Sequence, residues 1–244
     1  MTIAGRTARA TSDHRFFAIA SLAAFAIVFI GFARTYYLKA WFATPALPGL
    51  LHLHAALMTS WFALFFVQTS LIAAHRVRWH RRLGVAGGVL AVTIVVIGVH
   101  VAIRSAARDV RLPSIAGPPP LQFMGFLFFV LLGFAALVAA GLLLRRRPDY
   151  HKRLMLLSCL SMVGPGLFRI PLERVPALAF LRAGMLALEL LLLYACVAYD
   201  TWRHRHLHPA FAVGSLLIIA QELPFIWMFL GTPTWARIAT WLVS

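Results

Sequence analysis

The chain has 244 residues, 61% of them hydrophobic, with a mean hydropathy of +0.84 and only 12% charged residues. That composition excludes a soluble globular domain and points to apolar membrane-spanning runs of about 20 residues. Lys and Arg outnumber Asp and Glu 23 to 7, a net charge of +16; basic turns facing anionic lipid account for the excess, and nucleic-acid binding is not expected.

The N-terminal stretch Met1–Arg15 is polar and basic. No clear cleavage site follows the apolar run after it, so the run is expected to stay as a first helix. Seven spans follow from hydropathy: Phe16–Phe32, Leu51–Ala74, Leu83–Ile103, Leu121–Leu144, Leu154–Ile170, Val175–Tyr199 and Ala210–Leu230. Together they form one integral membrane domain over residues 1–244, an all-α polytopic bundle. Alternating segments of about ten residues, which a β-barrel needs, are absent from the sequence. The fifth span holds Pro165, which predicts a kink or break. The stretch 235–243 is too short to cross and is expected at the interface, anchored by Trp235, Arg237 and Trp241. The Pro-rich connector Pro113–Pro120 reads as stiff.

With the N-terminus cytoplasmic, fourteen of the 23 basic residues fall on the inner side and nine on the outer. This bias sets the expected orientation in a bacterial inner (plasma) membrane. Cys159 and Cys196 lie inside apolar segments and read as small buried hydrophobes. No C-x-x-C-H occurs, which excludes covalently attached c-type haem.

The turns carry the most informative pattern. Leu71–Gly84 ends in His80-Arg81-Arg82-Leu83-Gly84. Leu142–Met155 repeats the design in Tyr150-His151-Lys152-Arg153-Leu154-Met155. Aligning His80 on His151 also aligns Trp79 with Tyr150 and Arg82 with Arg153. A looser third turn, Asp200–Pro209, ends in His208. Each turn delivers a histidine to the start of a helix.

On the outer side, His52 and His54 open the second span and His100 lies near the end of the third. His80 and His100 are 20 residues apart, about 30 Å of helix, so they belong to different sites. His54 continues at steps of seven through Trp61, Gln68 and His75, a polar and aromatic stripe that favours it over His52 as the inward residue.

A neutral imidazole is a good axial ligand for haem iron, and helix bundles build such sites from facing side chains. His80 with His151 suits one haem b, with Arg82 and Arg153 as candidate propionate partners. His54 with His100 forms a weaker outer pair, so one haem or two are expected. The competing explanation is that these are interfacial histidines and that the small residues Gly84, Gly87, Gly88, Ala91 and Gly98 serve helix packing. His204 and His206 read as solvated. Arg169, Glu189 and Glu222 lie within spans; they read either as structural partners or as a substrate, quinone or proton site.

H-R-R-L-G at His80–Gly84 and H-K-R-L-M at His151–Met155 resemble the paired H-R-x-L-G and H-x-R-x-M helix starts of an uncharacterised family of bacterial polytopic membrane proteins. L-H-A-A-L-M at Leu53–Met58, followed by Gln68, fits the same pattern. More distantly, spans two to five are similar to the ascorbate-reducible transmembrane di-haem cytochromes b. In that family four consecutive helices each carry one histidine, paired first with third and second with fourth. His80 and His151 match the second and fourth, and His54 or His52 the first. Gln122 stands where the third is expected. A similar H-x-R-x-M signature occurs in small membrane proteins linked to haem–copper oxidase assembly.

The resemblance implies a membrane haem-b electron-transfer protein, an oxidoreductase if it has a reaction of its own. Two other classes stay open: a cofactor-free subunit or assembly factor of a respiratory complex, and a proton-coupled transporter of small solutes. A retinal protein is excluded because the only lysines, Lys39 and Lys152, lie in turns.

Overall fold

A computed structural model describes residues 3–42, 44–111, 118–170 and 185–244. The connector over 113–117, the first part of the sixth expected span (175–184), Arg174, Arg182 and the side chain of Glu222 lie outside the described residues. The described chain is all-α: α1 Ile3–Phe32, α2 Gly49–Ala73, α3 Val77–Asp109, α4 Pro120–Leu143, α5 Pro148–Leu160, α6 Gly164–Leu167, α7 Met185–His204, α8 Pro209–Glu222, α9 Pro224–Leu230 and α10 Pro233–Val243.

Five segments among the described residues are long and apolar enough to cross a membrane: Arg15–Tyr37, Gly49–Ala73, Val77–Asp109, Pro120–Leu143 and Pro209–Leu230. This makes the protein a multi-pass helical membrane protein. The fifth expected span is broken, as Pro165 predicts. Turns through Ser161–Val163 end α5, and Gly164-Pro165-Gly166 starts the short α6. Two glycines decide where α6 sits. A side chain on Gly31 of α1 would collide with the backbone of Gly166, so the two main chains touch there. The last span also breaks: Leu223 is extended (φ −72°, ψ 146°) ahead of Pro224.

α1 to α4 pack in sequence order, α5 lies against α4 and α1, and α8 against α4 and α5. The buried face of α3 is Gly87, Ala91, Ile94, Gly98, Ala102 and Ala106, small residues at helical spacing that let neighbours approach closely. The main core gathers Phe17, Trp61, Phe62, Phe65, Phe134, Leu156, Leu157 and Phe211 from five helices. A second core joins Ala102, Met124, Leu230 and Trp235 at the far end. Trp235, expected as an interfacial anchor, is buried instead. Its indole donates to the Leu121 carbonyl at 3.0 Å, in room left by Gly125. Trp241 and Arg237 do stand exposed, as interfacial residues should.

All three basic turns share one end of the bundle. The His80 and His151 rings meet across the first two turns, and Tyr150 meets His208 of the third. The α2–α3 turn reverses at His75, whose φ of 57° is left-handed. Arg76 N–H donates to Leu71 and His75 N–H to Ile72, which satisfies the last carbonyls of α2.

The same end is locked by one buried ion pair. Arg153 of α5 is 1% exposed and Asp200 of α7 is 1% exposed. The guanidinium donates through Nε and Nη2 to the two carboxylate oxygens, each at 2.8 Å. Nη1 donates to the Asp149 carbonyl. Breaking such a pair from one side leaves a buried charge, at a cost of about 3–5 kcal/mol, whereas an apolar replacement of both is often neutral. Arg153→Met is therefore expected to lose about 3–5 kcal/mol in reversible unfolding from detergent micelles, and Arg153→Met with Asp200→Leu to recover most of it.

Candidate functional site

The sequence repeat is also a structural repeat. α3 begins at Val77 and α5 at Pro148, so His80 and His151 are each the fourth residue of their helix. His80 N–H donates to Arg76 O at 3.1 Å and His151 N–H to Arg147 O at 3.0 Å. Both helices pack on α4, and their first turns bring the two imidazoles together. Their ring centroids are 6.1 Å apart with planes at 84°.

The partners of the two rings differ. His151 Nδ1 lies 2.8 Å from the Gly141 carbonyl of α4. A carbonyl only accepts, so Nδ1 carries the proton and Nε2 keeps its lone pair. Such a hydrogen bond fixes the tautomer and orientation of a histidine ring. The His80 ring lies beside the backbone of Gln68, and its Nδ1 is buried with no hydrogen-bond partner. Among the described residues no group of three or more His, Cys, Asp or Glu side chains is placed to hold a bare metal ion.

Two imidazoles this close are side chains of the kind that could hold a haem iron, were one bound. Gly87 and Gly98 lie seven and eighteen residues on from His80, so they share its face of α3, and both are tight, with Leu64 at 3.0 Å and Leu131 at 2.9 Å from an added Cβ. A Cβ on Gly84 or Gly88 would make ordinary contact, with Gln68 at 3.8 Å and Leu142 at 3.7 Å.

The remaining expected residues are placed as follows. Arg82 is exposed at the same end, its guanidinium 5.3 Å from the Trp79 ring. Arg153, expected beside a propionate, is engaged by Asp200. His54 points inward with Nδ1 buried and unpartnered, and Trp61 Nε1 and Gln68 Oε1 further along the stripe share that condition. His52 faces Tyr36 instead, with ring centroids 5.6 Å apart. His100 is exposed, two residues from the buried Gly98 and so about 200° round the helix from it. The structure brings His80 and His151 together and leaves His54 and His100 on different surfaces. Arg169 donates to the Pro165 carbonyl, stacks over Phe32 at 4.7 Å and lies within Coulombic reach of His54. The Glu189 carboxylate lies against Gly164, where a Cβ would come within 2.7 Å of both oxygens.

One arrangement at this end escapes sequence reading, whereas the cap expected at His208 is found. His204, read as solvated, stands between two carboxylates: Nε2 is 3.3 Å from Asp13 and Nδ1 is 3.4 Å from Asp200. Asp13 of α1 also accepts from Lys152 of α5 at 2.8 Å. No spacing signal links residues this far apart in sequence. His208 is the cap of α8, its Nδ1 accepting from Ala210 N–H at 3.1 Å. Burial and the nearby Arg153 hold its imidazole below the ordinary value, which favours the neutral form that a cap requires.

No family model matches the sequence, and neither the curated proteins nor the solved structures contain a significant match.

Burial pushes the Asp13 carboxyl up, but Lys152 and then His204 outweigh it and hold the group below its ordinary value. A carboxyl depressed in the folded state stabilises fully above the unfolded value of about 3.9, and loses that contribution as pH falls through the folded value. Asp13→Asn is expected to cost about 1–2 kcal/mol near pH 7. The gap between wild type and variant in thermal unfolding should close as pH is lowered below the carboxylate range.

Proposed function

We propose that this chain is a membrane haem-b electron-transfer protein, with His80 and His151 as the axial ligands of one haem at the basic end of the bundle. The observation that carries the reading is the histidine pair itself: matched register, 6.1 Å between rings and a Gly141 carbonyl that fixes the His151 tautomer. Haem b, when bound, supplies one-electron chemistry. The protein's part is to hold the two imidazoles rigidly. α3 presents His80 from a long continuous helix. α5 presents His151 from a helix pinned two residues further on by the Arg153–Asp200 pair. Arg82, one of several exposed guanidinium groups at this end, lies two residues from His80 and suits a propionate.

The exposure of His100 argues for one haem, with His54 assigned to the polar stripe of α2. In this reading the chain crosses seven times, as hydropathy suggests, and its basic turns face the cytoplasm of a bacterial plasma membrane. The bias of fourteen basic residues against nine supports that orientation.

Protein purified from haem-replete cells should show a Soret band and a low-spin bis-histidine spectrum. His80→Ala and His151→Ala should each lower haem occupancy at least tenfold, while His100→Ala leaves it unchanged. A haem-replete preparation with no Soret band, or unaltered haem content in both histidine variants, would sink the assignment.

A further inference from the structure

The fold segregates the charges of the basic end. Its acids, Asp13, Asp149 and Asp200, make their ion pairs with Lys152, Arg153 and His204. Among the described residues none of these pairs involves Arg76, Arg78, Arg81 or Arg82 around the start of α3, or Arg145, Arg146 or Arg147 after α4. All seven of those arginines are exposed. The network that joins α1, α5 and α7 takes up the negative charge inside and leaves a surface of one sign outside.

Packing brings the two arginine rows onto one seam. α3 and α4 run antiparallel: a Cβ on Gly98 would stand 2.9 Å from Leu131, and one on Gly88 would stand 3.7 Å from Leu142. Towards the basic end, each step back along α3 is therefore a step on along α4. Arg81 is seven residues before Gly88, two helical turns, and so stands on the side of α3 that meets α4. Arg145 follows Leu142 by three residues. Its Nη1 donates to the Leu142 carbonyl at 3.0 Å, one of the last acceptors of α4, which holds the guanidinium at that helix end. Arg78 and Arg146 flank the pair on either helix.

The side chains next to these arginines are apolar and exposed. Val85, one turn along α3 from Arg81, is 73% exposed, and Leu143, two residues before Arg145, is 78% exposed. Trp79 and Trp202 also stand exposed at this end, as tryptophan does where helices leave lipid. Guanidinium groups over exposed aliphatic side chains complement an amphiphile, with phosphate at the arginines and acyl chains along the helices. A soluble acidic protein would match the charges but not the apolar side chains that run from them into the hydrocarbon. We infer that the α3–α4 seam at the basic end is a binding site for an anionic phospholipid, with Arg81 and Arg145 on its phosphate and Val85 and Leu143 against its chains. The site does not depend on haem at His80 and His151.

The probe is dioleoyl phosphatidylglycerol added to the full chain in neutral detergent, read by native mass spectrometry and by thermal unfolding. Dioleoyl phosphatidylcholine carries the same chains without net charge. Wild type should retain phosphatidylglycerol saturably, at least fivefold more tightly than phosphatidylcholine, with a raised unfolding temperature. Arg81→Gln with Arg145→Gln should abolish that preference. Arg104→Gln with Arg111→Gln removes the same charge at the other end of α3 and should leave the preference unchanged. A photoreactive phosphatidylglycerol should label the start of α3 and the end of α4 in the wild-type chain, which needs no variant to fold. Equal binding of the two lipids, a preference undiminished in the first double variant or lost equally in the second, or labelling confined to other segments would overturn the site. So would displacement of the lipid by inorganic phosphate, which would make it a free-anion site, or by polyglutamate, which would make it an acidic-protein surface.

Discussion

The bundle's basic end depends on one interaction, the fork between Arg153 and Asp200. α5 is a single short helix of 13 residues that stops at the Ser161–Val163 turns. It cannot gain the packing that a full-length span gains on every turn. A guanidinium and a carboxylate, both about 1% exposed and doubly hydrogen-bonded, fix α5 to α7. Desolvation makes such a pair a weak source of net stability, but a strict one for geometry. Asp13, Lys152 and His204 extend the same network to α1. His151 sits between Tyr150, which rests on the α8 cap residue, and Lys152, which is tied to α1, so its imidazole is held by three helices besides its own.

Sequence periodicity made the lipid-facing part of this architecture legible. Long apolar runs define α1 to α4 and the last span, and Pro165 announces the broken fifth. The matched helix starts were legible too, because register is local: Arg76 and Arg147 each accept from the histidine four residues on, so equal spacing in sequence becomes equal register on the two helices. His54 over His52 followed from the seven-residue stripe, since only one face of α2 can turn inward.

What sequence did not disclose was long-range pairing. Arg153 looks like a propionate ligand when its neighbours in sequence are the only guide, and becomes an α5–α7 clamp once Asp200 is folded onto it. His204 looks solvated for the same reason, with Asp13 191 positions away in the chain and 3.3 Å away in space. Trp235 reads as an anchor by residue type. It becomes a plug because Gly125 opens a pocket on α4 that no periodicity marks. His100 stands exposed while His54 has a buried ring nitrogen, so the chain does not bring those two side chains onto one face.

The small residues of α3 show why composition by itself cannot separate packing from binding. Gly87 and Gly98 admit Leu64 and Leu131, so their lack of a side chain is already used by neighbouring helices. Gly84 and Gly88 meet Gln68 and Leu142 at ordinary contact distance. His80 is seven residues from Gly87 and eighteen from Gly98, so the histidine stands on the same face that packs. Small residues beside a histidine therefore mark close helix approach first, and what the face can bind is decided by the side chains the imidazole meets, His151 above all.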